Sequence, residues 1–167
     1  YAKTKLMEEA LVSSLCLEKG LKAIICRFGT IYGASIGMRF HTAVNKFCWQ
    51  ASMNLPITVW TTAYDQKRPY LDLVDASRAI CHIISNDLFD GTINNVLSQN
   101  ATVRDVVENI REFVPDLEVE FVDSKIMNQL SYEVLSDRFS SKGFIPQGSL
   151  SRGINETIKL LNNGANY

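Results

Sequence analysis

The chain has 167 residues, 46% of them hydrophobic and 21% charged, with a formal net charge of -1. A chain of this length can bury about 70% of the surface it exposes when unfolded, and its balanced charge argues against general nucleic-acid or anionic-membrane binding. No apolar run approaches the roughly 20 residues needed to cross a bilayer, and Tyr1-Ala2-Lys3-Thr4-Lys5 does not open a secretory signal, so a cytoplasmic location is expected.

Residues 2–19 read as a helix, with Leu6, Met7, Ala10, Leu11, Ser14 and Leu15 in an apolar stripe and Gly20 as its stop. Tyr1 and Lys5 stand four residues apart on one face of it. A fixed positive charge close to a tyrosine favours its phenolate, so such a pair suits proton transfer to and from a substrate hydroxyl. The same spacing also fits a surface lysine lying beside a partly buried tyrosine. Residues 21–28 follow as a strand buried on both faces, around Ala23-Ile24-Ile25-Cys26 and with Arg27 at its carboxyl end. Ligands of open α/β sheets bind at such ends, so the turn Gly29-Thr30-Ile31-Tyr32-Gly33 is where cofactor and substrate are expected to meet. Residues 34–40 read as an active-site loop ending near Arg39, a cation suited to a phosphate or carboxylate. The next helix, from about residue 41 to 53, carries Asn45 as a further substrate candidate, while His41 reads as a surface or capping residue.

Residues 56–60 form a short strand, and the chain then returns to Arg68. Asp75 is expected to cap the helix patterned by Ala76, Ala79, Ile80, Ile83 and Ile84. Asp90-Gly91-Thr92 makes a turn and residues 93–97 a strand. Thr102 then starts a helix with Val103, Val106, Val107, Ile110 and Phe113 inward and Pro115 beyond its end. Residues 117–122 alternate as a strand, and a last helix runs from about residue 150 through Ile154, Ile158 and Leu161. Cys16, Cys26, Cys48 and Cys81 sit singly in apolar patterns, so four reduced, buried thiols are expected rather than disulfides or a metal site.

Three stretches, in order and at suitable spacing, resemble the extended short-chain dehydrogenase/reductase family, the NAD-dependent nucleotide-sugar epimerases and dehydratases. Tyr1 to Glu9 is similar to the helix that opens with Tyr-x-x-x-Lys. Arg27-Phe28-Gly29-Thr30-Ile31-Tyr32-Gly33 resembles the Arg-x-x-x-x-Tyr-Gly turn, and Arg68-Pro69-Tyr70-Leu71-Asp72-Leu73-Val74-Asp75 the Arg-x-Tyr segment that closes on an aspartate. The likeness covers only the second half of such a protein. The glycine-rich turn that cradles a dinucleotide after the first strand has no counterpart among the nine glycines, so a fragment beginning at the YxxxK tyrosine is expected.

The resemblance implies an α/β fold: the C-terminal half of a Rossmann-type doubly wound parallel sheet plus a small α/β substrate-binding domain. Residues 1–33 and about 57–97 would belong to the former, and about 34–56 and 98–167 to the latter. It implies catalysis by Tyr1 and Lys5, and NAD or NADP held mainly by the missing half, with Tyr1, Lys5, Gly29 and Thr30 touching it. It implies a nucleotide-diphosphate sugar whose diphosphate meets Arg68, with Lys125 and Tyr132 at the spacing where relatives place an arginine and a tyrosine. For Arg68 a salt bridge to Asp72 or Asp75 is the structural alternative. A homodimer through the helix of residues 2–19 is also implied, and an isolated half should be inactive and self-associate. Epimerase, dehydratase and dehydrogenase outcomes stay open, as do a non-catalytic nucleotide- or partner-binding module and a reductase of a non-sugar carbonyl compound.

Overall fold

The computed structural model describes residues 1–123 and 131–164. In chain order it contains α1 (Ala2–Lys19), β1 (Ile25–Phe28), β2 (Thr30–Tyr32), α2 (Ala43–Ser52), β3 (Ile57–Trp60) and β4 (Lys67–Asp72). These are followed by α3 (Leu73–Ser85), β5 (Ile93–Val96), β6 (Gln99–Thr102), α4 (Val103–Arg111), β7 (Val119–Val122), α5 (Asp137–Ser140) and α6 (Leu150–Gly164).

The strands form three small sheets. Strand β1 pairs parallel with β5, β2 pairs parallel with β4, and β3 pairs parallel with β7, whereas β4 and β6 run antiparallel. The strand expected over residues 21–28 begins only at Ile25, and the expected turn at Thr30 to Tyr32 is itself a strand. Strand β4 is buried along most of its length and feeds two cores, because successive side chains leave a strand on opposite faces. Tyr70 packs with Phe47, Ile57, Val107, Ile110 and Ile154, while Leu71 packs with Ala79, Val96, Phe139 and Phe144. Each fully buried aliphatic or aromatic side chain contributes about 1.5–3 kcal/mol, so these two clusters hold α2, α3, α4 and α6 onto the strands.

Local chemistry sets the helix ends. Helix α1 stops at Gly20, whose φ of 66° is the left-handed conformation that glycine adopts without strain. Helix α4 has a reciprocal cap, Thr102 Oγ1 accepting from Asp105 N and Asp105 Oδ2 from Thr102 N. At α3 the capping residue is Asp72, whose Oδ1 accepts from Val74 N at 2.8 Å, which corrects the expectation for Asp75. The helix starts at Leu73, three residues before the pattern that begins at Ala76, so Asp75 falls inside its first turn.

Asp75 instead joins distant segments. Its carboxylate accepts from Ser98 Oγ (2.7 Å), Gln147 N (2.9 Å), Gly148 N (2.7 Å) and Arg78 Nη1 (2.7 Å). Asp72 Oδ2 lies 3.5 Å from Arg152 Nη2. These contacts seat the start of α6 against β4. Burial pushes the Asp75 carboxyl up, but its four donors together hold it below the ordinary carboxylate range.

Helix α1 has no buried residue, and its Leu6, Met7, Leu11 and Leu17 are exposed. No helix among the described residues is long and apolar enough to cross a membrane. The cysteines are free, yet only Cys48 is buried: Cys16 and Cys26 are half-buried and Cys81 is exposed. Cys81 follows Ile80 onto the outer side of α3, so the expectation of four buried thiols is corrected there.

Candidate functional site

Tyr1 caps the start of α1 and is 96% exposed, with the Lys5 ammonium 5.9 Å from its ring centroid. Lys5 also donates to Glu8 Oε2 at 2.7 Å, and this hydrogen bond holds its ammonium above the ordinary lysine value, so the charge is fixed. One turn further on, Glu9 receives Arg27 Nε at 2.7 Å and Arg27 Nη2 at 2.6 Å. This two-pronged pair ties the Tyr1 helix to the carboxyl end of β1.

The chain turns at Gly29, whose N–H donates to Val96 O at 2.9 Å. A Cβ there would sit 3.0 Å from Pro69 O, so the absent side chain lets this backbone close on β4. Thr30 follows and lines two cavities. One, shared with Tyr32, Gly33, Arg39 and Asn45, lies under the loop before α2. The other, of about 360 Å³, runs between α2 and strands β3 and β4, with Lys46, Thr58, Trp60, Gln66 and Arg68 in its wall. Thr30, His41 and Thr42 line both, so the two lie side by side near the carboxyl end of β1.

Arg39 is exposed in the loop, its carbonyl accepting from Asn45 Nδ2 at 3.3 Å. Asn45 is buried, and its Oδ1 accepts from Gly33 N at 3.2 Å, so its amide closes the loop upon itself. Arg68 donates through Nη1 to Lys67 O and through Nη2 to Gln66 Oε1, both at 2.8 Å. Its guanidinium lies 5.0 Å from the Tyr132 ring centroid, a cation stacked on an aromatic face. The carboxylates weighed as its partners are engaged elsewhere, Asp72 with Arg152 and Asp75 with Arg78. Lys125 lies outside the described residues.

The structure thus places Thr30, Arg39, Asn45 and Arg68 in the walls of the two adjacent cavities, with Tyr132 stacked on Arg68, and sets Tyr1 and Lys5 on the helix tied to β1. Neither Tyr1 nor Lys5 lines these two cavities. Sequence reasoning missed Lys46, Trp60 and Gln66. Lys46 lies on an amphipathic helix whose polar positions look solvent-facing until β3 is placed opposite, and only the Trp in the short strand of residues 56–60 hinted at a lined wall.

The chain belongs to the NAD dependent epimerase/dehydratase family, whose model matches residues 1–96. Among solved structures it is similar to RMD from Pseudomonas aeruginosa complexed with NADPH, with a TM-score of 0.84 and 19% identity over 98% of this chain and 56% of that one. It is similar to the UDP-glucose 4-epimerase of Thermus thermophilus in complex with NAD, with a TM-score of 0.80 and 24% identity over 96% of this chain and 53% of that one. The UDP-glucuronic acid 4-epimerase of Bacillus cereus, in complex with UDP-glucuronic acid and NAD, gives a TM-score of 0.84 and 19% identity over 98% and 52%. At these identities the likeness is one of fold. The chain spans about half the length of the structures it matches.

Proposed function

We propose that this chain is the catalytic-helix and substrate-binding half of an NAD(P)-dependent enzyme that epimerises or dehydrates a nucleotide-diphosphate sugar. The observation that carries the reading is the cavity that begins at Thr30, beside the turn clamped to the Tyr1 helix, and reaches Arg68. Family membership supports it, as do the NAD, NADPH and UDP-sugar named in the solved relatives.

In this reading Arg68 binds the diphosphate, since a planar guanidinium can donate to two phosphate oxygens at once. Its stacking on Tyr132 holds the fork in place. Arg39, in the neighbouring loop, meets the sugar or its phosphate, and Asn45 shapes that loop from beneath. Lys125 remains a candidate for the same diphosphate by its spacing from Tyr132. Residues 1–33 and about 57–97 then serve the cofactor side, and 34–56 with 98–167 the substrate side.

The donor set present fits a dinucleotide that arrives from elsewhere. Lys5 is a donor-only ammonium whose hydrogen-bond partner among the described residues, Glu8, is exposed, so it can turn to ribose hydroxyls. Gly29 and Thr30 offer backbone and hydroxyl at the strand end. Bound NAD(P) supplies the hydride acceptor and donor for the sugar carbon. Tyr1 takes the proton of the sugar hydroxyl and later returns it to the carbonyl, while the Lys5 charge stabilises the negative charge developing on the phenol oxygen. Cytoplasmic placement and a homodimer through α1 belong to the same proposal; the exposed Leu6, Met7, Leu11 and Leu17 support the dimer, because burying them between two copies removes apolar surface from water.

The test is to incubate the natural protein with NAD or NADP and a panel of nucleoside diphosphate sugars, following the sugar protons by NMR. A new epimer or a dehydrated sugar is expected from at least one substrate. No conversion of any of them, with the protein folded and the cofactor bound, would sink the reading.

A further inference from the structure

The cavity between α2 and strands β3 and β4 has an uneven chemistry. Among the described residues that line it none is a carboxylate, while two are strongly basic side chains, Lys46 from α2 and Arg68 from β4. Gln66 adds to this bias: its Oε1 is already taken by Arg68 Nη2 at 2.8 Å, which leaves its amide N–H groups as donors. Between the cations the wall is largely apolar, with Phe47, Val59, Trp60 and Tyr70. Tyr70 is buried deeply enough that its hydroxyl is pushed up to about 12, so it stays protonated. The ligand must therefore be flat or apolar in the middle and rich in acceptors at both ends.

Lys46 is half-buried, and among the described residues no hydrogen bond or ion pair engages its ammonium. It follows an α2 start at Thr42 that carries no side-chain cap, so the first backbone N–H groups of that helix add further unspent donors on the same wall. Arg68 stands near Thr30, since Thr30 pairs with Tyr70 in the β2–β4 register, two residues from Arg68. This is the end where the diphosphate lies in the proposed function, and the nucleoside then extends toward α2, over Trp60 and up to Lys46.

Resting on that reading, we infer that Lys46 determines base specificity: its ammonium donates to O4 of uracil or thymine or to O6 of guanine, so the cavity takes a nucleotide of one of these three bases. Cytosine and adenine carry an exocyclic amino group at the corresponding edge, and a donor-only lysine meets it donor against donor. Stacking on Trp60 is tolerant of every base, because each has a π face, and so contributes affinity without choice. Specificity is left to the cation.

The experiment is calorimetric titration of UDP, TDP, GDP, CDP and ADP into the protein and into K46M, K46R and R68M. The three oxo-base diphosphates are expected to bind roughly ten- to hundredfold more tightly than CDP and ADP. The ratio should collapse toward one in K46M, return in K46R, and persist in R68M, where all five weaken together. Equal binding of all five by the unmodified protein overturns the inference while leaving the nucleotide reading intact, as does a preference that survives in a folded K46M. Binding of none overturns the nucleotide reading itself. If K46M does not fold, the K46R ratio and the selectivity of the unmodified protein still decide the matter.

Discussion

Arg27 grips Glu9 with two parallel hydrogen bonds, Nε to Oε1 and Nη2 to Oε2, and so joins the carboxyl end of β1 to the helix that begins at Tyr1. The Arg27 hydrogen bond holds the Glu9 carboxyl below its ordinary value, so the pair stays ionised through the neutral range. The Arg27 side chain is well exposed while that of Glu9 is partly covered, and an ion pair with one hydrated partner adds only modestly to stability. Its value is positional, since it fixes where Tyr1 and Lys5 stand relative to Gly29 and Thr30. R27M and E9Q should each leave the melting temperature nearly unchanged and yet lower kcat by roughly ten- to hundredfold, the cost of a misplaced catalytic group. Thermal scans beside steady-state kinetics check this, and a large melting shift with unchanged kcat would contradict it.

Asp75 should behave in the opposite way. D75N leaves Ser98, Arg78 and two backbone N–H groups short of a charged acceptor inside the fold, and a loss of about 3 kcal/mol is expected at pH 7. The folded-state pKa is below the unfolded one, so the contribution is fully present above the unfolded value of about 4 and vanishes as pH falls through the folded value. The denaturation midpoints of D75N and the unmodified protein should therefore converge as the pH drops below about 4. A gap of constant size down to acid denaturation would show that the carboxylate charge is not what holds Gly148 and α6.

Gly153 gives a prediction whose sign is unusual. Replacing glycine by alanine inside a helix ordinarily stabilises it by about 1 kcal/mol. Here an added Cβ would lie 2.7 Å from Cε2 of the buried Tyr32 ring, so G153A should instead destabilise by about 1–3 kcal/mol. Urea midpoints measure it, and a more stable G153A would mean that the α6–β2 contact is loose.

Thiol accessibility offers an independent check of the packing. Burial pushes the Cys48 thiol up to about 12, whereas Cys81 is exposed. Alkylation near pH 8 should modify Cys81 first and Cys48 only on unfolding, as peptide mass mapping would reveal. Early modification of Cys48 would place α2 away from β3.

Much of this arrangement was legible in the residues. The span of α1 followed from its apolar spacing and Gly20, and the start of α4 from the Thr102 and Asp105 capping pair. What escaped was short or polar. Strand β2 is three residues long and lies inside a glycine-flanked motif that reads as a turn, and β6 is the weak strand former Gln99-Asn100-Ala101-Thr102. That strand persists because β4 supplies its ladder and because Asn100 holds Val134 through both its amide oxygen and its amide nitrogen. Among the proposed site residues, Tyr1, Lys5 and Arg68 are suggested by motifs, and Arg39 and Asn45 by the loop and helix that carry them. Lys46 and Gln66 are not, because no local pattern tells which polar residue of a helix or loop faces a cavity built by strands distant in sequence.

The proton-transfer role given to Tyr1 is the heart of the proposed function, and Y1F tests it most directly. Removing one hydroxyl should lower kcat on the substrate found in the panel by at least about 100-fold, while the affinity for its nucleoside diphosphate stays within roughly twofold. A Y1F protein that turns over at the unmodified rate would show that the proton passes through another group, and that the pair of Tyr1 with Lys5 is only a feature of the helix surface.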